Sequence, residues 1–270
     1  MDLTRREQGF GSPIRRPCYD CHVTAVGILH PGAMGAAVGA LLDEGWWVPA
    51  GRSAETAERA RVAGLQEASM PELLDRCAVV LSICPPHAAL DVARVAAGFR
   101  GLYCDANAVS PATTLEVARI VEGGGATFVD GGIVGGPPRE AGTRLYLSGR
   151  EAPAVAALFA GTLLEAVVLG EEPGTASALK MCYAGWSKAS AALLLAIAAA
   201  AEGLGVADAL RAEWEHSIPE LPAELARANR AADTKGWRWI GEMREIAATL
   251  RSVDEPDGFH EAAAQVFERR

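Results

Sequence analysis

The stretch CHVTAVGILHPGAMGAAVGALL, from Cys21 to Leu42, decides how this chain is read. An apolar run from Val23 to Leu29 leads into His30-Pro31-Gly32-Ala33-Met34-Gly35 and then into an alanine-rich helical pattern. A strand, a glycine turn and a helix in that order form the seat of a dinucleotide. Three glycines serve such a turn: one bends the chain, one admits the pyrophosphate to the backbone, and one lets the helix pack on the strand. Those positions hold His30, Gly32 and Gly35, so the first glycine is replaced. A residue before proline is pushed toward extended geometry. We therefore expect His30 to prolong the strand. Pro31 brings no N–H, which leaves the N–H groups of Gly32, Ala33 and Met34, at a helix N-terminus, for an anion. The alternative is a glycine turn with only a structural role.

Outward from this stretch the pattern repeats. Apolar runs at 46–50, 77–84, 102–106, 126–134, 144–149 and 165–170 alternate with helical patterns at 33–44, 53–63, 87–97, 111–122 and 151–163. Strands alternating with helices of about a dozen residues predict an α/β fold with a doubly wound, mainly parallel sheet of the Rossmann type. Past EEPGTAS (171–177) no strand pattern remains, and an all-α C-terminal region is expected. A helix from about 175 to 203 would be roughly 40 Å long at ~1.5 Å per residue. Its apolar second half, AALLLAIAAAA (191–201), needs a large partner surface, and a second subunit is a plausible source. Further helices are expected at 206–216, 219–231, 236–251 and 257–268. The expected organisation is a flexible tail over 1–21, a nucleotide-binding domain over 22–172 and a helical substrate and dimerisation domain over 173–270.

The formal net charge of −9 argues against nucleic acid or an anionic membrane as the main partner. The run 191–201 is by itself too short to span a bilayer. The N-terminus has no apolar segment of the signal-peptide kind, and the six cysteines do not form a disulfide framework. A reducing, cytoplasmic setting is expected. CYDCH (18–22) has the spacing of a haem attachment site. It precedes a strand and lacks an export signal, so haem is set aside. Metal binding by Cys18, Cys21 and His22 is disfavoured because no second ligand pair follows at zinc spacing.

Gly51-Arg52-Ser53 follows the turn by about 20 residues. An acid there would bind a ribose 2′-hydroxyl; an arginine with a hydroxyl suits a 2′-phosphate. This predicts NADP(H) rather than NAD(H). Ser53 also reads as a helix cap, and the two roles use the same helix end. Cys84 and Pro85 are expected to line the cofactor cleft through their backbone. Asn107 should lie near the nicotinamide, at the carboxyl end of a strand; a turn asparagine is its other reading.

In order, GILHPGAMG (27–35), GRS (51–53), DANAVSP (105–111), DGGIVGG (130–136) and ALKMCYAGWSK (178–188) resemble the β-hydroxyacid dehydrogenase and 6-phosphogluconate dehydrogenase-like superfamily. WRWIGEMREIAATL (237–250) resembles the C-terminal part of its subgroup with a short helical domain. The resemblance implies that Lys180 is the general acid/base and that 134–136 and 184 contact substrate. The asparagine expected four residues after the lysine is Ala184, and the serine expected before Gly135-Gly136 is Val134. Tyr183 or Ser187 could replace the lost amide, since both share the face of Lys180. Loss of two polar anchors points to a bulkier or less anionic substrate. Lys188 reads as structural or as part of the substrate rim. Trp239 and Met243, one turn apart, suit core or pocket lining. The implied activity is NADPH-dependent hydride transfer at a carbonyl or alcohol carbon, in a homodimer. Imine reduction on the same scaffold and a non-catalytic NADPH-binding regulator are the alternatives.

Overall fold

A computed structural model describes residues 24–270. The expected tail, with Cys18, Cys21 and His22, lies outside the described residues. The first half alternates as expected: β1 (Ala25–Leu29), α1 (Ala33–Gly39), β2 (Glu44–Trp47), α2 (Ala54–Val62), β3 (Gln66–Glu67), α3 (Met70–Arg76), β4 (Val79–Ser82), α4 (Ala89–Val95), β5 (Leu102–Asp105) and α5 (Pro111–Gly123). Then follow β6 (Thr127–Val134), β7 (Thr143–Ser148), α6 (Ala152–Ala157) and β8 (Leu164–Gly170). The eight strands form one sheet in the order β3-β2-β1-β4-β5-β6-β7-β8, parallel except between β6 and β7. Strand order reverses at β1 and β4, and a crevice opens outside the carboxyl ends of those strands. The two faces carry separate cores, one around Ile28, Trp47, Leu81 and Leu147, the other around Leu73, Phe99, Tyr103 and Val117. Burial on both faces explains strands without polar alternation.

Four helices complete the chain: α7 (Thr175–Gly203), α8 (Ala207–Ser217), α9 (Leu221–Arg251) and α10 (Gly258–Glu268). Helix α7 lies against β6 with its first half and against α9 and α10 beyond. A third core, around Met181, Leu195, Met243, Ile246 and Phe267, joins these helices. Among the described residues α7 alone is long and apolar enough to cross a membrane by composition. It carries Lys180 and Lys188 and packs between sheet and helices, as the central helix of a folded layer does.

Some boundaries moved, for identifiable reasons. Helix α1 stops at Gly39, not near 44, and β2 begins early; a Cβ at Gly39 or Gly45 would come within 2.8 or 2.4 Å of Leu65 Cδ2. The helices expected at 219–231 and 236–251 are one helix, because 232–235 contains no breaker and Thr234 Oγ1 donates to its own helix at Arg230 O, 2.9 Å away. Strand β3 and helix α3 were missed, although Ser69 and Glu72 form a reciprocal capping box ahead of α3.

Candidate functional site

The glycine turn sits at the crevice. Gly35 is obligatory there, since a Cβ would come within 2.4 Å of the His30 carbonyl oxygen. A Cβ on Gly32 would meet open space, so its backbone is accessible to a ligand. Two expectations are corrected. His30 does not extend the strand: its φ is +69°, the left-handed region that the missing glycine would supply. The turn geometry has been kept and the side chain added to it. The Gly32 N–H is also already used, donating to His30 O at 2.8 Å. The N–H groups of Ala33 and Met34, in the first turn of α1, remain for an anion. Pro31 is buried beneath the turn and Met34 packs on the sheet core.

Arg52 follows β2, and its Nη1 is hydrogen-bonded to His30 Nε2, which ties the end of β2 to the turn. Ser53 caps α2, accepting from the Thr56 N–H at 3.2 Å. Burial lowers the Arg52 pKa, while His30 is lowered to about 4 by burial, then by Arg52 and His87. Cys84 is buried beside this group, its thiol pushed up to about 12, chiefly by burial.

Asn107 lies just past the carboxyl end of β5, as expected. It is buried, with Nδ2 donating to Ser82 Oγ (3.0 Å) and to Asp105, and Oδ1 accepting from the Cys84 N–H at 2.5 Å. Its side-chain polar atoms tie the end of β5 to the Cys84-Pro85 segment and so shape the cleft.

Sequence reasoning overlooked two carboxylates. Asp130 on β6 accepts from Gly174 N (2.9 Å), Ser177 N (3.0 Å), Ser177 Oγ (2.6 Å) and Ser148 Oγ (2.9 Å). It therefore fastens the start of α7 to the sheet and takes up N–H groups that the helix end leaves free. Asp105 faces it in register and is raised to about 8, by burial first and then by the Asp130 charge. The signal was present: an aspartate within each of two neighbouring apolar strand runs, LYCDA and ATFVDGGIV.

This fastening sets Lys180. Gly132 lets α7 approach β6, since a Cβ there would stand 2.8 Å from Ala176 O and 2.9 Å from Lys180 Cβ. Lys180 Nζ donates to Ile133 O at 2.6 Å. Burial and then the charge of Arg238 lower the lysine to about 8. Arg238, on α9, was not singled out in the sequence, yet it is the polar neighbour that α9 brings toward the lysine. Val134, Gly135 and Gly136 follow on the same strand end, with Gly135 at φ +116° and Thr143 Oγ1 donating to Gly136 O at 2.7 Å.

The other expected substrate contacts divide. Ala184 is buried in the helical core at 1% exposure, and Met243 at 0%; both are packing residues and not pocket lining. Ser187 Oγ reaches its own helix at Ala184 O, 3.5 Å away, and Tyr183 points outward, so neither replaces the lost amide. Trp239 packs edge-on against Phe267 and borders a groove of about 650 Å³ with Trp186, Leu193, Ile197 and Trp214. Lys188 pairs with the buried Glu242 and lies over the Trp239 ring; burial and the neighbouring cations Lys180, Arg238 and Lys235 lower its pKa.

Residues 201–270 match a family described only as a domain of unknown function, DUF1932. An uncharacterized 28.5 kDa protein of Methanothermus fervidus is 32% identical over 163 residues, which span 59% of this chain and 62% of that protein, less than two thirds of its length. A conserved protein of unknown function, whose structure is described as similar to 3-hydroxyacid dehydrogenases, is 30% identical, with 91% of this chain and 96% of that one covered and a TM-score of 0.67. The 3-hydroxyisobutyrate dehydrogenase of Mycobacterium tuberculosis shares the fold at 19% identity and a TM-score of 0.65, over 92% of this chain and 93% of that one. Near end-to-end likeness at 30% identity, on a sheet of this order, places the chain: it belongs to the β-hydroxyacid dehydrogenase and 6-phosphogluconate dehydrogenase-like superfamily.

Proposed function

We propose that this protein is an NADP(H)-dependent oxidoreductase acting on a carbonyl or alcohol carbon, with Lys180 as its general acid/base. The observation that carries the reading is the lysine itself. It is held at a strand end by a backbone carbonyl, half-buried, with a pKa lowered to about 8, where an amine moves a proton near neutral pH. The crevice supports the cofactor: open backbone at Gly32, free N–H groups on α1, and Arg52, whose buried Nε has no hydrogen-bond partner among the described residues. When bound, the nicotinamide supplies or takes the hydride. In reduction Lys180 gives its Nζ proton to the carbonyl oxygen; in oxidation it removes the hydroxyl proton. Ile133 O aims the ammonium, and Asp130 keeps α7 from sliding along β6. Arg238 keeps the amine from becoming too basic.

Residues 22–172 then bind the cofactor, while 173–270 complete the substrate site and pair with a second copy. Imine reduction remains the second reading, because a reductive aminase from Aspergillus terreus solved with NADPH shares this fold at 17% identity and a TM-score of 0.55. The first test is a fluorescence titration with NADPH and with NADH. Micromolar NADPH binding and weaker NADH binding support the reading. A panel of keto acids, ketones and cyclic imines, with Lys180→Ala as control, then separates C=O from C=N reduction. Absence of binding to either cofactor would remove the oxidoreductase assignment.

A further inference from the structure

His30 carries two burdens that a glycine would avoid. Its φ of +69° is one of only two positive values at non-glycine residues among the described residues, a backbone conformation that strains a side chain. Its ring is also half-buried against a guanidinium, an unfavourable neighbour for an imidazole that takes a proton. Glycine would carry neither burden, so the side chain must be read for what it does.

The hydrogen bond to Arg52 fixes the state of the ring. A guanidinium only donates. Nε2 must therefore accept from Arg52 Nη1, and the ring proton of the neutral imidazole is on Nδ1. The lowered pKa of His30 agrees with a neutral ring. Nδ1–H is then a buried donor, and it has no partner among the described residues; the same holds for Arg52 Nε–H. Two linked side chains thus hold two unsatisfied donors near the end of β2, both closed off from solvent. Leaving such groups unpaired is costly, and oxygen acceptors are what they lack. Protein acids do not fill the need: Glu55, the nearest acid in sequence, is bound to Arg59. The place is the end of β2, where the ribose 2′-substituent of a dinucleotide lies. A phosphate offers several acceptor oxygens and a negative charge; a ribose hydroxyl offers one weak acceptor.

We propose that His30 is a specificity-determining residue, which holds the Arg52 guanidinium in place to donate to the 2′-phosphate of NADP(H). This rests on the cofactor reading above and extends it to a residue that the glycine fingerprint treats as a defect. Two further points follow. The Arg52 guanidinium is preorganised by the imidazole, so less of its freedom is lost on binding. Stability has been traded for discrimination at one position.

The test uses the whole chain with His30→Gly and His30→Asn. Asparagine tolerates the left-handed region and keeps both an acceptor and a donor. Thermal melting without ligand and equilibrium titrations with NADPH and NADH are measured on all three proteins. His30→Gly should melt higher than wild type, bind NADPH at least tenfold more weakly, and change less than twofold toward NADH. His30→Asn should fall between. An NADPH-to-NADH affinity ratio in His30→Gly equal to wild type would overturn the proposal while leaving the cofactor reading intact. Equal losses for both cofactors would assign His30 to the shape of the turn and would also overturn it. Failure of wild type to bind either cofactor would instead refute the underlying reading, and the proposal with it.

Discussion

Lys180 is an ordinary residue type in an unusual setting, and the setting predicts its pH behaviour. With a pKa near 8, the amine is protonated at neutral pH. With Lys180 as the proposed acid, reduction should run at its plateau below pH 8 and decline as pH rises through that value. Oxidation should show the reverse limb. Replacing Arg238 by methionine removes a positive neighbour, so the inflection should move to higher pH in both directions. An unmoved inflection would take Arg238 out of the site's electrostatics. Asp105 gives the matching case on the acid side. Its folded pKa is about 8 against an ordinary aspartate value of 3.8, so between those values the folded chain holds a proton that the unfolded chain has released. Stability then falls as pH rises across that window. Asp105→Asn lacks this term, and its advantage over wild type should grow from near zero at pH 4 to ~2 kcal/mol or more at pH 8 in urea melts. Parallel pH profiles for the two proteins would show that Asp105 is ionised in the fold.

At the scale of the element, the seam between β6 and α7 bears the greatest demand. Gly132 permits the approach, Asp130 fastens the helix end, and Lys180 projects from the next turn. Gly132→Ala forces a methyl against backbone at 2.8 Å, so it should cost ~1–3 kcal/mol and lower turnover more than cofactor affinity. Wild-type turnover with wild-type stability in that variant would contradict the tight seam. This seam also shows what the sequence made legible. The alternation of strands and helices, the long α7 and Lys180 could be read because each rests on local periodicity or a motif. The role of Asp130 could not, because its partners at 148, 174 and 177 are remote along the chain and meet only after the sheet has formed. Arg238 escaped for the same reason: nothing within one turn of α9 marks it. Ala184 and Met243 were misplaced because a helix face that adjoins a site and one that adjoins a core have the same spacing. His30 was read from the proline that follows it, whereas the demand of the turn prevailed over that local preference.

At the scale of the molecule, the helical half leaves apolar surface uncovered. Helix α8 has no buried residue. Along α7, Trp186, Leu193 and Ile197 form one exposed stripe, with Trp186 at 80% exposure. A contiguous apolar surface of this kind marks an interaction site. The expected occupant is a second copy of this chain, with the groove beside Trp214 taking part in the contact. Light scattering at micromolar concentration should give twice the chain mass, and Leu193→Asp should reduce it toward the monomer. A monomeric wild type would leave that stripe for a different partner.

Helix α7 is unbroken from Thr175 to Gly203, so the rod that carries the proton-transfer lysine also carries the stripe assigned to the second copy. In the proposed dimer a partner steadies this rod, and catalytic competence is then expected to follow mass action. Specific activity per chain should decline on dilution through the dissociation constant of the pair and return, after a lag, on reconcentration. The lag would report the time that two chains need to find each other and straighten a shared lever.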